Sequence, residues 1–161
     1  MFDVSSSFDF YQMLITDWDE LNGDKQSARK VIHCIILANH LPEWIWHDWL
    51  KSDHVVKAKL GLTDRDSFIA LLRTCVWLDI LRAIVNGTKH FERQPFKTQL
   101  VKYQGLGDHG YLVIDLGEGA GIEHQFMPAL HLIEVCVRFW RDFLKTHRPD
   151  VPLVHSTNHA I

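Results

Sequence analysis

The spacing of apolar residues changes near Pro95, and this change restricts the fold more than any other feature of the chain. Before Pro95, apolar residues recur at every third or fourth position, the period of amphipathic helices. Beyond it, KTQLVKYQ, YLVIDL and IEHQFM alternate apolar and polar residues between glycine-rich turns, as antiparallel strands do. A helical period returns after Pro128. The sequence therefore predicts an α+β domain, an antiparallel helical bundle with a small three-stranded antiparallel meander inserted before the C-terminal helix.

Capping patterns and helix-breaking residues predict the limits of the first two helices. Ser6 and Asp9 have the spacing of a capping box, and the helix that they begin is expected to end at Asn22-Gly23. Asp24 can cap a second helix. Because proline lacks a backbone N–H, we expect Pro42 to bend or divide that second helix.

The same reasoning applies to the longest predicted helix and to the domain limits. Thr63 and Asp66 form another capping-box pattern ahead of this helix, which is expected to end at Asn86-Gly87. We predict a single α+β domain over residues 1–147 and an extended or frayed tail over 148–161, because the tail has two prolines and no hydrophobic period.

Composition excludes several classes of protein. A chain that is 47% hydrophobic and 11% aromatic can bury a core, which excludes a disordered tail-like protein. The start MFDVSSSFDF carries no positive charge, and no uncharged apolar run approaches the roughly 20 residues that span a bilayer, so we expect a cytoplasmic protein without membrane contact. Cys34, Cys75 and Cys136 stand singly in helical stretches and are expected to be buried thiols. We expect neither a cofactor nor a bound metal.

Charge is unevenly distributed along the chain. The net charge of −3 and the pI of about 6.4 give the whole chain no electrostatic footprint for nucleic acid. Residues 1–24 carry only acidic charges, whereas residues 82–102 are basic, with Glu92 as their single acidic residue. The basic side chains of that segment are Arg82, Lys89, Arg93, Lys97 and Lys102. The last four are candidate binding residues for an anionic ligand.

The stretch GLGDHG, residues 105–110, matches the glycine pattern of dinucleotide-binding loops. That motif requires a helix after the loop, so that the pyrophosphate meets the helix N-terminus. Here YLVIDL follows and is predicted to be a strand. We therefore interpret GLGDHG as a hairpin turn.

Four histidines, His33, His40, His47 and His54, recur every seven residues. Seven helical residues rise about 10.5 Å, too far for two side chains to bind one ion at about 2 Å. They are therefore expected to be separate helix-face histidines. A His/carboxylate metal enzyme stays open as a minor alternative, because Glu43 and Asp48 could meet His47 and His54 in space.

The run EWIWHDW places Trp44, Trp46 and Trp49 too close together for all three to face one side of a short helix. We expect at least one of these indoles to be partly exposed, or covered by a dimer partner or a ligand. Packing of all three beneath the sheet or the tail is the structural alternative.

The stretch LRAIVNGTKHF is the strongest candidate for a site. If the helix continues to its end, Arg82, Asn86 and His90 are spaced i, i+4 and i+8 along one face, with Lys89 beside them. Histidine can transfer a proton near neutral pH, and the cationic side chains can stabilise charge on a phosphorane as a ribose 2′-hydroxyl attacks. This set would permit RNA cleavage without a metal.

A purely structural interpretation of the same stretch also stays open. Gly87 is a good helix stop, and Arg82 can pair with Asp79 one turn earlier. Lys89 and His90 suit the negative end of a helix dipole.

At these residues the chain resembles the HEPN superfamily. Its members are helical bundles, often dimeric, in which an Arg, a neighbouring polar residue and a His form an RNA-cleaving cleft between paired subunits; other members lack the catalytic pair and act as binding or scaffold domains. In NGTKH the resemblance places Asn86 at the polar position and His90 at the histidine position, whereas Val85 stands where the arginine would immediately precede the polar residue.

Two functions follow from the resemblance and the residues together. Because of Val85 and the acidic pI, we favour a HEPN-like accessory or binding protein without strong catalytic activity, acting as a homodimer with a protein or an RNA as its partner. The alternative is a metal-independent endoribonuclease in which His90 is the base and Arg82, Asn86 and Lys89 bind phosphate.

Overall fold

A computed structural model describes residues 4–90, 99–103, 111–115 and 126–153. Over these residues the chain forms six α-helices, a π-helical turn at Trp46–Leu50 that continues the second helix, and three short strands. The helices are α1 Ser7–Gly23, α2 Ala28–Ile45, α3 His54–Leu60, α4 Arg65–Arg73, α5 Val76–His90 and α6 Ala129–His147. The strands are β1 Gln99–Tyr103, β2 Tyr111–Asp115 and β3 Phe126–Pro128.

The coarse prediction of helices plus a small antiparallel sheet between α5 and α6 is confirmed. β1 and β2 pair antiparallel with Val101 opposite Val113, and the three residues of β3 pair with β2 through Ile114 and Met127. Ile114 and Met127 are buried, so this part of the sheet covers the helical core. The connections between the strands lie outside the described residues, and a continuous three-stranded meander therefore stays a prediction.

The core lies where α1, α2, α5 and α6 meet. On α1, four residues at helical spacing point inward, among them Trp18 at 2% exposure. Trp140 on α6 is fully buried at the centre of the bundle. The thiols of Cys34 and Cys136 are buried, as predicted, and Cys75 is half-buried. Burial raises the pKa of the Cys34 thiol to about 12.

One predicted N-cap is confirmed and two are wrong by a few residues. Ser6 caps α1 and completes a capping box with Asp9. Asp24 instead ends α1, where its N–H donates to the carbonyl of Leu21, and Ser27 caps α2. The predicted box at Thr63 and Asp66 is displaced by one residue, because Asp64 and Ser67 exchange the two capping hydrogen bonds.

The expected division of the second helix at Pro42 is wrong. α2 passes through Pro42, which is buried, so the packing of its ring offsets the missing hydrogen bond. The irregularity comes later, where the Lys51 N–H donates to the Trp46 carbonyl five residues back at 2.9 Å.

The longest predicted helix also differs from the structure at two places. It divides at Thr74, because the N–H groups of Thr74 and Cys75 donate to carbonyls only three residues back and tighten the chain into a turn. Its second half, α5, does not end at Asn86-Gly87 but continues to His90. A single helical glycine costs only about 1 kcal/mol relative to alanine, so Gly87 can be carried within a helix.

The end of the chain packs back onto the bundle as far as it is described. The Arg148 guanidinium lies over the Trp49 ring, 5.3 Å from its centroid, and Leu153 packs against the core. The rest of the predicted tail lies outside the described residues. Within the described part of the chain, no helix combines the length and the apolar character needed to cross a membrane.

Candidate functional site

A groove of about 390 Å³ lies between α2, α4 and α5, with α6 beneath it. Its floor is apolar: Leu72, Leu78, Leu81 and Trp140 are each no more than 8% exposed. Its rim is charged and exposed, with arginines from two helices and carboxylates from two. We call this feature the arginine groove; its charged rim residues are Glu43, Arg65, Asp66, Arg73 and Arg82.

Arg82 and Asn86, two of the three predicted catalytic residues, line the arginine groove together. They lie one turn apart on α5, as the i, i+4 spacing predicted. Arg82 also makes the predicted pair with Asp79, whose Oδ1 accepts hydrogen bonds from Nε at 3.1 Å and from Nη2 at 2.9 Å. Both side chains are 40% exposed, so water screens this pair and the guanidinium retains open donors toward the groove rim.

A second arginine is held across the groove by an interhelical ion pair. Arg65, at the start of α4, donates from Nε and Nη2 to the two carboxylate oxygens of Glu43 on α2, the first at 2.9 Å. These hydrogen bonds lower the pKa of Glu43 and raise that of Arg65. The bidentate geometry fixes the guanidinium plane at the rim.

Arg73 ends α4 on the same rim and is exposed. Among the described residues, no hydrogen bond or ion pair engages its guanidinium. His40 and Asn39 of α2, both half-buried, line the opposite wall. The groove therefore presents three arginines above an apolar floor. Arg65 is held by Glu43, Arg82 is paired with Asp79 in contact with water, and Arg73 has no partner in the described structure.

Val85, next to Asn86 on α5, is a core residue. Its side chain is 2% exposed and belongs to the core, whereas Asn86 beside it lines the groove. An arginine at this position would place its charge in the core, which is costly without a partner. The helix therefore keeps an apolar residue here.

The other predicted site residues are described only in part. Lys89 and His90 belong to α5, so by position His90 lies one turn beyond Asn86, about 6 Å along the helix axis. Lys102 lies in β1. Arg93 and Lys97 fall outside the described residues.

The histidine-rich segment forms a different cleft, of about 400 Å³, beside the start of α1. We call it the acidic cleft; it is lined by Ser5, Glu43, Trp44, His47 and Asp48. Asp48 accepts hydrogen bonds from the Ser7 N–H at 2.9 Å and the Ser7 hydroxyl at 2.7 Å. His54 is not among the lining residues and begins α3 instead. Over the described ranges no three His, Cys, Asp or Glu side chains are grouped to hold a metal, so the structure gives the metal-enzyme alternative no support.

The tryptophan run is divided as the spacing predicted. Trp46 and Trp49 are 7% exposed, whereas Trp44 is half-buried and stacks on Phe10 with ring centroids 4.9 Å apart. The stacking fixes one face of the Trp44 indole within α1–α2 packing.

Sequence reasoning missed several residues of the arginine groove: His40, Glu43, Arg65, Arg73 and Trp140. They come from three helices, and Glu43 and Arg65 are separated by 22 residues. No local spacing signals such a pair. The capping pattern near Asp64 predicts where α4 begins, but it does not predict which helix α4 packs against.

No protein-family model, curated protein or solved structure matches the chain. Function must therefore be inferred from the grooves themselves.

Proposed function

We propose that the chain is a HEPN-like binding protein, without strong catalytic activity, that recognises the phosphate groups of RNA in the arginine groove. The observation that carries this proposal is the shared position of Arg82 and Asn86 on the wall of a groove whose rim also holds Arg65 and Arg73. Guanidinium groups match phosphate oxygens bidentately, and the Asn86 amide adds a neutral donor. The lack of an arginine at the Val85 position favours binding over cleavage.

The charges around the groove suit selective rather than indiscriminate binding. Three arginines face two carboxylates on the rim, and Glu43 already neutralises Arg65. A strip of unpaired lysines would bind any polyanion, whereas this arrangement leaves only Arg73 and the open donors of Arg82 for a phosphate. A homodimer could join two grooves and extend the bound surface.

Metal-independent ribonuclease activity is the second candidate. The observation that favours it is the continuation of α5 through Gly87 to His90, which keeps Arg82, Asn86 and His90 in one helical register. In this mechanism His90 would take the proton of the 2′-hydroxyl while Arg82 and Asn86 hold the phosphate.

The experiment is binding and cleavage of a fluorescently labelled single-stranded RNA, with EDTA present throughout. We expect saturable binding that weakens steeply with salt, since phosphate contacts release counterions. Arg82→Gln should lower the affinity roughly fivefold. Arg138→Gln is the matched control, because Arg138 makes a similar exposed intrahelical pair with Glu134 on α6.

The outcomes separate the two candidates. Binding without cleavage supports the binding protein. Cleavage that persists in EDTA and disappears in His90→Ala establishes the ribonuclease instead. No RNA binding, or equal losses in Arg82→Gln and Arg138→Gln, contradicts both.

A further inference from the structure

The fully buried Trp140 at the floor of the arginine groove has a donor with nothing to bind. Its side chain is 0% exposed, and its indole Nε1 is buried without a hydrogen-bond partner within the described structure. A buried donor without a partner is destabilising, so such groups are rare unless a ligand or a water completes them. Trp140 is also one of the residues that line the groove.

The groove divides into two chemical zones. Leu72, Leu78 and Leu81 form a buried apolar floor around Trp140. Exposed Arg73 and half-buried Arg82 provide its cationic rim. Small-molecule sites commonly combine an apolar lining with a few directed polar groups in volumes of roughly 300–1,000 Å³. The 390 Å³ of this groove falls in that range.

We infer that the arginine groove binds a small organic phosphate, with its phosphate at the Arg73 and Arg82 rim, its apolar body on the leucine floor and one acceptor oxygen on the Trp140 indole N–H. This inference rests on the phosphate recognition proposed above and adds the ligand class. Such a ligand occupies the phosphate-binding rim and therefore excludes RNA from it, so its concentration regulates RNA binding.

The size of the groove is the reason for a small ligand. An RNA strand follows a longer surface with successive charges, so only a small part of it, a phosphate and its neighbourhood, can occupy this groove. Here the three arginines surround one bounded space whose floor is apolar. Phosphate alone would leave that floor and the Trp140 donor unused, and an apolar molecule alone would leave the arginines unused.

Four probes dissect the three predicted contacts: inorganic phosphate, phenyl phosphate, 4-acetylphenyl phosphate and acetophenone. Phenyl phosphate adds the apolar body to phosphate, and the acetyl group adds a carbonyl acceptor at the end opposite the phosphate. Binding is measured by calorimetry or by tryptophan fluorescence. We expect 4-acetylphenyl phosphate to bind at least tenfold more tightly than inorganic phosphate or acetophenone, with phenyl phosphate between them.

Two substitutions assign the contacts. Trp140→Phe removes the N–H and should weaken 4-acetylphenyl phosphate about fivefold while changing phenyl phosphate less than about twofold. Trp49→Phe is the matched control, because the Trp49 Nε1 is also buried and unpartnered but Trp49 does not line the groove. If Trp140→Phe does not fold, exposed Arg73→Gln still tests the site and should weaken both phosphates about tenfold.

The inference is overturned if neither aryl phosphate binds saturably at millimolar concentration, or if Trp49→Phe reproduces the effect of Trp140→Phe. A competition arm separates it from the proposed function. Displacement of labelled RNA by 4-acetylphenyl phosphate supports both. RNA binding that the aryl phosphates do not displace overturns only the small-ligand inference. Aryl phosphate binding without any RNA binding overturns the proposed function and the regulation of RNA binding, and leaves the small-ligand site itself supported.

Discussion

The arginine groove and the acidic cleft have nearly the same volume, about 390 and 400 Å³, and both are lined by Glu43, but they differ in how their polar groups are used. In the acidic cleft, Asp48 holds Ser7 at the start of α1. In the arginine groove, Arg73 and the Trp140 indole N–H have no partner among the described residues. The two cavities therefore differ in their free hydrogen-bond donors and not in their volume. We use free donors, rather than volume, to choose the arginine groove as the candidate binding site.

The largest expected effect tests the stabilising role of the acidic cleft. Asp48→Ala should lower the free energy of unfolding by about 1.5 kcal/mol, because Ser7 is 2% exposed and loses the acceptor of two charge-assisted hydrogen bonds. Urea unfolding measures the change. Asp66→Ala is the control, since Asp66 is 93% exposed and should cost little. Equal losses in the two variants would mean that the acidic cleft is not committed to structure.

The next effect concerns function alone. Arg73→Gln should lower RNA affinity roughly fivefold and reduce the salt dependence of binding by about one counterion, while unfolding is unchanged because the side chain is exposed and unpaired in the described structure. Fluorescence anisotropy over a series of salt concentrations measures both quantities. Arg29→Gln is the control, an exposed arginine on α2 that does not line the groove. An unchanged affinity for Arg73→Gln would place phosphate recognition elsewhere.

The smallest effect concerns Glu43, which belongs to both regions. Glu43→Gln should raise RNA affinity about twofold, because Arg65 loses its neutralising partner and becomes available to phosphate. Ion pairs between partly exposed side chains contribute little to stability, so we expect the free energy of unfolding to change by well under about 1 kcal/mol. Glu134→Gln on α6 is the matched control. A fall in affinity would show that the ion pair positions Arg65 for the ligand.

The same variant tests a small pH dependence. The Arg65 guanidinium holds the pKa of the Glu43 carboxyl below its usual value, so as the pH falls the unfolded chain binds a proton here before the folded chain does. The stability from this pair is therefore present above the unfolded pKa and lost as the pH falls through the folded pKa. Glu43→Gln should remove this pH-dependent part of the free energy of unfolding. Urea titrations repeated between pH 6 and pH 3, roughly the range in which carboxyl groups titrate, measure the change.

Local features of the fold were predicted better than nonlocal ones, although two of the three predicted N-caps lie one to three residues from the true caps. The capping box at Ser6 depends on residues three apart and was correct. The break expected at Pro42 was wrong because burial in the core, which depends on other helices, decides whether a helix tolerates proline. Gly87 misled in the same way, since its weak preference against helix is outweighed by the apolar face of α5.

The residues of the candidate site show the same difference between local and nonlocal features. Arg82 and Asn86 were predicted because four residues of one helix bring them to one face. Arg73 and Trp140 could not be predicted with them, because their meeting depends on how α4 and α6 pack against α5. A residue such as Arg73 carries no local signal at all, and only the packed structure reveals that it lines the same groove as Arg82.

The π-helical turn at Trp46–Leu50 predicts how the sequences of evolutionary relatives should align with this chain. A turn closed by a bond to the fifth residue back holds one residue more than an α-helical turn, so it is what an α-helix becomes when a single residue is inserted. Because the turn absorbs that residue, removing it would return the segment to regular α-helix and change the register of the residues within the turn, Asp48 among them. Aligned relatives that lack the turn should therefore show a one-residue gap here, together with a different anchor for the start of α1.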